Sequence, residues 1–144
     1  MDLPDIQNLN NKLFDLEIAN YDPDLIPNWP LSPAGAAYFT DMIEKHFVVI
    51  AKDGGETVGY LAGTLGAAPA ISKGRRAELS NTFVLESYRG RGVGRMLFDA
   101  FRAECAANGA TDIEVTATAK NIGAVTAYEK WGFAPKNVTL NYKI

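Results

Sequence analysis

Apolar residues recur at helical spacing in some stretches of this chain and alternate with polar ones in others. Ile6, Leu9, Leu13 and Leu16 follow Pro4 at steps of three and four, which predicts a first helix from about Pro4 to Ala19. Pro23, Pro27 and Pro30 interrupt the pattern around Trp29, and Ser32-Pro33 has the form of a cap followed by a first-turn proline, opening a second helix through about Glu44. His46 to Lys52 is strand-like, Asp53-Gly54-Gly55 turns the chain, and Thr57 to Leu65 returns as the hairpin partner. Gly66 to Gly74 reads as a flexible connection. The order then runs strand (Arg75 to Leu85), helix (Gly92 to Asn108), strand (Asp112 to Thr118, with Ile113, Val115 and Ala117 alternating), helix (Asn121 to Trp131) and strand (Val138 to Lys143). This is an α/β chain with a mixed sheet.

Bulk properties narrow the function classes. At 144 residues the chain builds one domain with one sizeable core. A net charge of -3, with arginines gathered at one loop, argues against a nucleic-acid partner. No apolar run approaches the roughly 20 residues of a membrane span, and the start lacks a basic-then-apolar signal pattern, so neither insertion nor export is expected. Cys105 is the one cysteine, which rules out a disulfide framework or thiolate metal cluster and makes a reducing cytoplasm the default compartment. It falls in a helix-period pattern with Val93, Leu97, Phe98 and Phe101 and is read as a core residue, not a nucleophile. His46 is the single histidine, opens a strand far from the motifs, and is read as structural or surface; no metal is expected.

The candidate chemistry starts at Arg89-Gly90-Arg91-Gly92-Val93-Gly94, between a strand-like and a helix-like run. Glycines let backbone approach a ligand closely, and the unpaired N–H groups and dipole of the following helix favour an anion such as a diphosphate, with Arg89, Arg91 and Arg95 adding charge. Spacing separates the phosphate-binding patterns. G-x-G-x-x-G from Gly90 would need glycine where Arg95 stands, and the Walker Gly-Lys-Ser/Thr is absent.

What remains, Arg-x-x-Gly-x-Gly on a strand-to-helix turn, resembles the acetyl-CoA motif of the GNAT superfamily of N-acetyltransferases. Asn121 to Phe133 resembles the superfamily's second cofactor-side motif, a helix opening with Asn and closing with Tyr-x-x-x-Gly-Phe. The residues make independent sense there. Asn121 is a good cap, Gly132 suits a left-handed closing position, and Asn121, Ala124 and Tyr128 share one helical face. The specific likeness spans about Ala77 to Ile144, and the earlier part matches only in element order.

The resemblance implies a single acetyl-CoA-dependent N-acetyltransferase domain over residues 1–144, with a central, mixed, mostly antiparallel twisted sheet flanked by helices. The superfamily usually begins with a strand, and here Asp2-Leu3-Pro4-Asp5-Ile6 resembles the turn that follows it. Truncation, a shifted start, or an edge supplied by another strand all remain open, and an uncovered neighbouring strand makes a homodimer an expectation.

Acetyl-CoA is the implied cosubstrate, transferred directly in a ternary complex to the primary amine of a small molecule or peptide. Its implied binding residues are Phe83, Val84, Leu85, Arg89, Gly90, Arg91, Gly92, Val93, Gly94, Arg95, Asn121, Ala124 and Tyr128. Amide formation needs a base for the amine, a donor for the developing oxyanion and a proton for the leaving thiolate. By the resemblance, the backbone N–H of Val84 is the oxyanion donor, Tyr128 the acid, and Glu78 the base, with Glu78, Ser80, Thr82 and Val84 expected on one strand face. Trp29, Glu17, Asp22 and Asp24 lie where such enzymes build the acceptor pocket and could receive a cationic amine, although a solvated acidic loop is the favoured reading of the carboxylates. The rival class is a non-catalytic acetyl-CoA sensor.

Overall fold

A computed structural model describes residues 2–66 and 71–144 of the chain. The first two helices, α1 (Leu3–Asn20) and α2 (Pro33–Lys45), start where prolines and caps direct: Pro4 stands in the first turn of α1, and the Ser32 hydroxyl accepts the Gly35 N–H at 3.1 Å ahead of Pro33. The strands β1 (Phe47–Asp53), β2 (Glu56–Leu65), β3 (Arg76–Val84) and β4 (Asp112–Val115) lie side by side in that order. The first three are antiparallel. A parallel partner for β3 requires a crossover, and α3 (Val93–Ala107) makes it before β4 pairs in register from Arg76↔Asp112 to Leu79↔Val115. The last helix, α4 (Ile122–Lys130), follows β4.

The period-two pattern of β2 sends its side chains into two cores. Tyr60 and Ala62 face α1 and α2, where they meet Ile6, Leu9, Phe39, Met42 and Phe83. Leu61 points the other way, beneath α3, with Ala77, Leu79, Leu97, Phe98, Phe101 and Cys105. Each such aliphatic or aromatic side chain contributes about 1.5–3 kcal/mol of transfer free energy. Cys105 is 1 % exposed, and burial pushes its thiol up to about 11, as the reading of a packed, unreactive cysteine requires.

Gly63 shows how tightly β2 and α3 meet, because a Cβ at this position would enter the Phe101 ring and the Glu78 carbonyl. Neither the buried ring nor the strand backbone can give way. Gly63→Ala is therefore expected to cost about 1–3 kcal/mol, the usual effect of overpacking a core. A urea unfolding midpoint equal to that of the wild type would contradict this.

Several sequence expectations change here. Leu16 is 41 % exposed and lies outside the core face of α1. His46 ends α2, its imidazole 3.6 Å from Asp41, and the strand begins at Phe47. The strand expected through Thr118 pairs only as far as Val115. Val138 to Lys143 forms no strand: Val138, Leu140 and Tyr142 are exposed, and no β-ladder includes them. Alternation specifies two faces, whereas a strand also needs a neighbour with free backbone groups. The sheet begins with β1, which borders it on one side. Residues 67–70 of the connection expected from Gly66 to Gly74 lie outside the described residues. Among the described residues, no helix is long and apolar enough to cross a membrane.

Candidate active site

The site originates in an irregularity of β3. Gly63 pairs with Leu79 and Ala62 with Asn81, so Ser80 is an extra residue without an opposite number. This bulge reverses the faces. Ala77 and Leu79 point beneath α3, but beyond the bulge it is Val84 that does so, while Phe83 joins the α1/α2 core. Glu78 and Val84 thus lie on opposite faces, contrary to the single face expected from uninterrupted alternation. The bulge also coincides with the end of β3–β4 pairing at Leu79 and Val115. From there the strands part, and a cavity of about 440 Å³ opens between Ser80–Thr82 and Thr116–Thr118.

Backbone geometry at the cleft follows from pairing. The Leu85 N–H bonds the Val58 carbonyl at 2.9 Å, and alternation along the strand then turns the N–H and C=O of Val84 away from β2. The Val84 carbonyl accepts Arg89 Nε at 3.0 Å, with the Arg89 guanidinium 5.1 Å from the Phe83 ring centroid.

A short 3₁₀ turn, Glu86–Tyr88, leads into the glycine loop and is tied to the β-hairpin by the Tyr88 hydroxyl donating to Asp53 at 2.8 Å. Gly90 and Gly92 have φ of +75° and +81°, and Gly92 is the residue preceding α3. No side chain caps this helix. Met96 is the first residue whose N–H reaches a carbonyl one turn back, that of Gly92 at 3.0 Å, so the Val93, Gly94 and Arg95 donors are left to a ligand or solvent. Gly94 serves packing as well, since a Cβ there would come within 3.0 Å of the Trp131 ring. Arg91 lies 5.2 Å from the Tyr88 ring centroid. Arg95 is engaged elsewhere, pairing with Asp99 at 3.1 Å one turn along the helix.

On the far wall, Asn121 caps α4 by accepting the Ala124 N–H at 3.1 Å, and Asn121, Ala124 and Tyr128 all line the cavity. The helix closes as its sequence suggests. With Gly132 at φ +104°, the Gly132 N–H bonds Glu129 O and the Phe133 N–H bonds Tyr128 O, each at 3.0 Å, while the Tyr128 and Phe133 rings meet at 5.8 Å. This closure holds the Tyr128 ring at the cavity wall. Burial, then the negative charge of Glu17, raises the Tyr128 hydroxyl above the usual phenol range.

The structure thus brings Asn121, Ala124 and Tyr128 to a cleft bordered by β3, with Val84 and the glycine loop further along that strand. It does not place Glu78 in the cavity lining: Glu78 is exposed, and its carboxylate meets the Ser80 hydroxyl at 3.4 Å. Of the acidic acceptor-side residues, Glu17 lines the cavity with Trp29, whereas Asp24 is exposed beside Lys143 at 3.6 Å. Sequence reasoning missed a buried chain of hydrogen bonds: Asn10 Nδ2 donates to Tyr60 at 2.7 Å, the Tyr60 hydroxyl to Asn81 Oδ1 at 2.6 Å, and Asn81 Nδ2 to the Tyr38 hydroxyl at 3.1 Å. The signal was a polar Asn10 on the apolar face of a helix, 3 % exposed, which has to find a partner.

The sheet parts along β3 ahead of a glycine-lined helix N-terminus, and comparison with known proteins identifies the family. The sequence profile of the Acetyltransferase (GNAT) family matches residues 9–133. The chain belongs to that family. A Bacillus subtilis (strain 168) protein that bears the name of a [ribosomal protein bS18]-alanine N-acetyltransferase is 27 % identical over 109 residues, covering 74 % of this chain and 67 % of the relative. A mutant of the BH1408 protein from Bacillus halodurans shares the fold with a TM-score of 0.86 at 19 % identity, covering 99 % of this chain and 94 % of that one. Aminoglycoside N-acetyltransferase AAC(6')-Iy, solved in complex with CoA, superposes with a TM-score of 0.76 at 19 % identity over 99 % of this chain and 88 % of its own.

Proposed function

We propose that the protein transfers the acetyl group of acetyl-CoA directly to a primary amine within a ternary complex. The observations that support this reading share one strand: β3 lines the Tyr128 cavity through Ser80–Thr82, and its end carries the Val84 N–H that β2 leaves free and leads on to the uncapped start of α3. The α3 donors, with Gly90, Gly92, Arg89 and Arg91, hold the diphosphate. Phe83, Val84 and Leu85 flank the pantetheine arm, whose amides pair with strand edge groups as an added strand would. Asn121 and Ala124 line its other side.

The chemistry then assigns one task to each group. The Val84 N–H donates to the carbonyl oxygen as negative charge develops on it. The amine nitrogen bonds the acyl carbon, the carbon–sulfur bond breaks, and Tyr128 gives its proton to the departing sulfur. The proton lost by the amine leaves through Ser80 to Glu78, or through water held between them. The acceptor is a small-molecule or peptide amine.

The test is thiol release from acetyl-CoA with a panel of amines. Release that depends on an amine supports transfer, while tight acetyl-CoA binding without release under any acceptor would overturn it in favour of a sensor. Because Glu78 acts at a distance from the cavity, Glu78→Gln is expected to lower turnover only about tenfold, below the span of a direct general base, with partial recovery as pH rises. An unchanged rate and pH profile would remove Glu78 from the proton path.

A further inference from the structure

The acceptor end of the cavity has a composition that narrows the amine. Phe14 of α1, Trp29 of the loop and Tyr38 of α2 form a continuous aromatic wall: Phe14 and Trp29 stack at 5.9 Å and 12°, and Trp29 meets Tyr38 edge-on at 5.9 Å and 60°. The wall is rigidly backed. Gln7 Nε2 donates to Pro30 O at 2.8 Å, the Ser32 hydroxyl to Trp29 O at 2.6 Å, and the chain from Asn10 through Tyr60 and Asn81 fixes the Tyr38 hydroxyl.

One turn along α1 from Phe14, Glu17 is the one charged residue among the described residues that line the cavity. Its carboxylate accepts the Thr118 hydroxyl at 3.4 Å, which ties it to the segment after β4. Tyr128 lines the same cavity. An ammonium group drawn to Glu17 therefore enters the cavity that Tyr128 also lines. A lone carboxylate matches one positive charge. A polycation would bury further ammonium groups against Phe14, Leu25 and Trp29 without partners, at a large desolvation cost. Aromatic faces favour a cation and an apolar or aromatic body beside it. The volume of about 440 Å³ lies toward the small end of small-molecule sites.

We propose that the acceptor is a compact monoamine with an apolar or aromatic body, its ammonium anchored by Glu17 and its body packed on Phe14, Trp29 and Tyr38. This rests on the acetyltransferase reading and deepens it. The experiment measures thiol release by the full chain at saturating acetyl-CoA with 2-phenylethylamine, spermidine, tobramycin and a hexapeptide beginning with alanine. The expected kcat/KM for 2-phenylethylamine exceeds each of the others about tenfold or more. Glu17→Gln is expected to raise the KM for 2-phenylethylamine about tenfold, the loss of one charge-assisted contact, with the KM for acetyl-CoA unchanged. Trp29→Leu provides a second variant that keeps Glu17, and it is expected to raise the same KM. Spermidine, tobramycin or the peptide turning over faster overturns the proposal, as does an unchanged KM in both variants. Calorimetry with 2-phenylethylamine and no acetyl-CoA separates the two readings. If no amine releases thiol, binding that weakens in Glu17→Gln preserves the pocket assignment while transfer fails, and absence of binding overturns the pocket assignment as well.

Discussion

Gly92→Asp is expected to reduce acetyl-CoA affinity by about a hundredfold or more, because it puts a carboxylate where the diphosphate is proposed to sit. Its position makes the substitution selective. Gly92 stands immediately before α3 at φ +81°, and a Cβ there meets nothing within 4 Å. Aspartate is among the residues that tolerate left-handed backbone, and a carboxylate at a helix start is itself a good acceptor for the first free N–H groups. The new side chain thus satisfies the donors in place of the ligand, and α3 keeps its helix. Gly92→Ala separates charge from backbone strain, since it adds a Cβ without the carboxylate and should lose far less. Calorimetric titration with acetyl-CoA, alongside circular dichroism, reads the result. Near wild-type affinity in a folded Gly92→Asp protein would displace the diphosphate from this loop. Gly94→Asp would be a poorer probe, because its side chain also strikes Trp131.

Tyr128→Phe is expected to lower single-turnover acetyl transfer by about a hundredfold, the lower end of what one general acid supplies. The ring packs against Trp131 at 5.4 Å and Phe133 at 5.8 Å, contacts that phenylalanine retains, so stability and acetyl-CoA affinity should hold. Burial and the Glu17 charge raise the hydroxyl above its usual range, which keeps it protonated and able to donate. The sign of the pH effect follows: a raised pKa means that acid function is complete at neutral pH and is lost only as pH climbs past the ordinary phenol value of about 10. Wild-type activity should show no Tyr128-dependent decline below that point. Equal single-turnover rates for wild type and Tyr128→Phe would reduce Tyr128 to a packing residue.

Local signals were legible wherever the chemistry is local. Pro4, Ser32-Pro33, Gly54-Gly55, Asn121 and Gly132 each impose a turn or a helix end through bonds to near neighbours, and the observed helices begin and end beside them. The shared face of Asn121, Ala124 and Tyr128 needs only the helical period, and all three line the cavity. The glycine loop was readable because positive φ and a bare helix start are properties of the residues themselves.

Long-range matters were not legible. The Ser80 bulge depends on how β2 and β3 align, and a one-residue offset moved Glu78 to the face opposite Val84. Val138 to Lys143 alternates as a strand does yet has no partner strand among the described residues, which no local pattern reveals. The aromatic wall joins Phe14, Trp29 and Tyr38 from three separate elements, and Glu17 meets Thr118 across most of the chain. By itself the sequence determined the helices, their caps and the glycine-rich turn before α3, because short-range sterics and hydrogen bonds decide these. Only the tertiary structure decided where β3 and β4 part, which carboxylate enters the cavity and which aromatic side chains line it, because these depend on strand register and on packing between residues far apart in the chain.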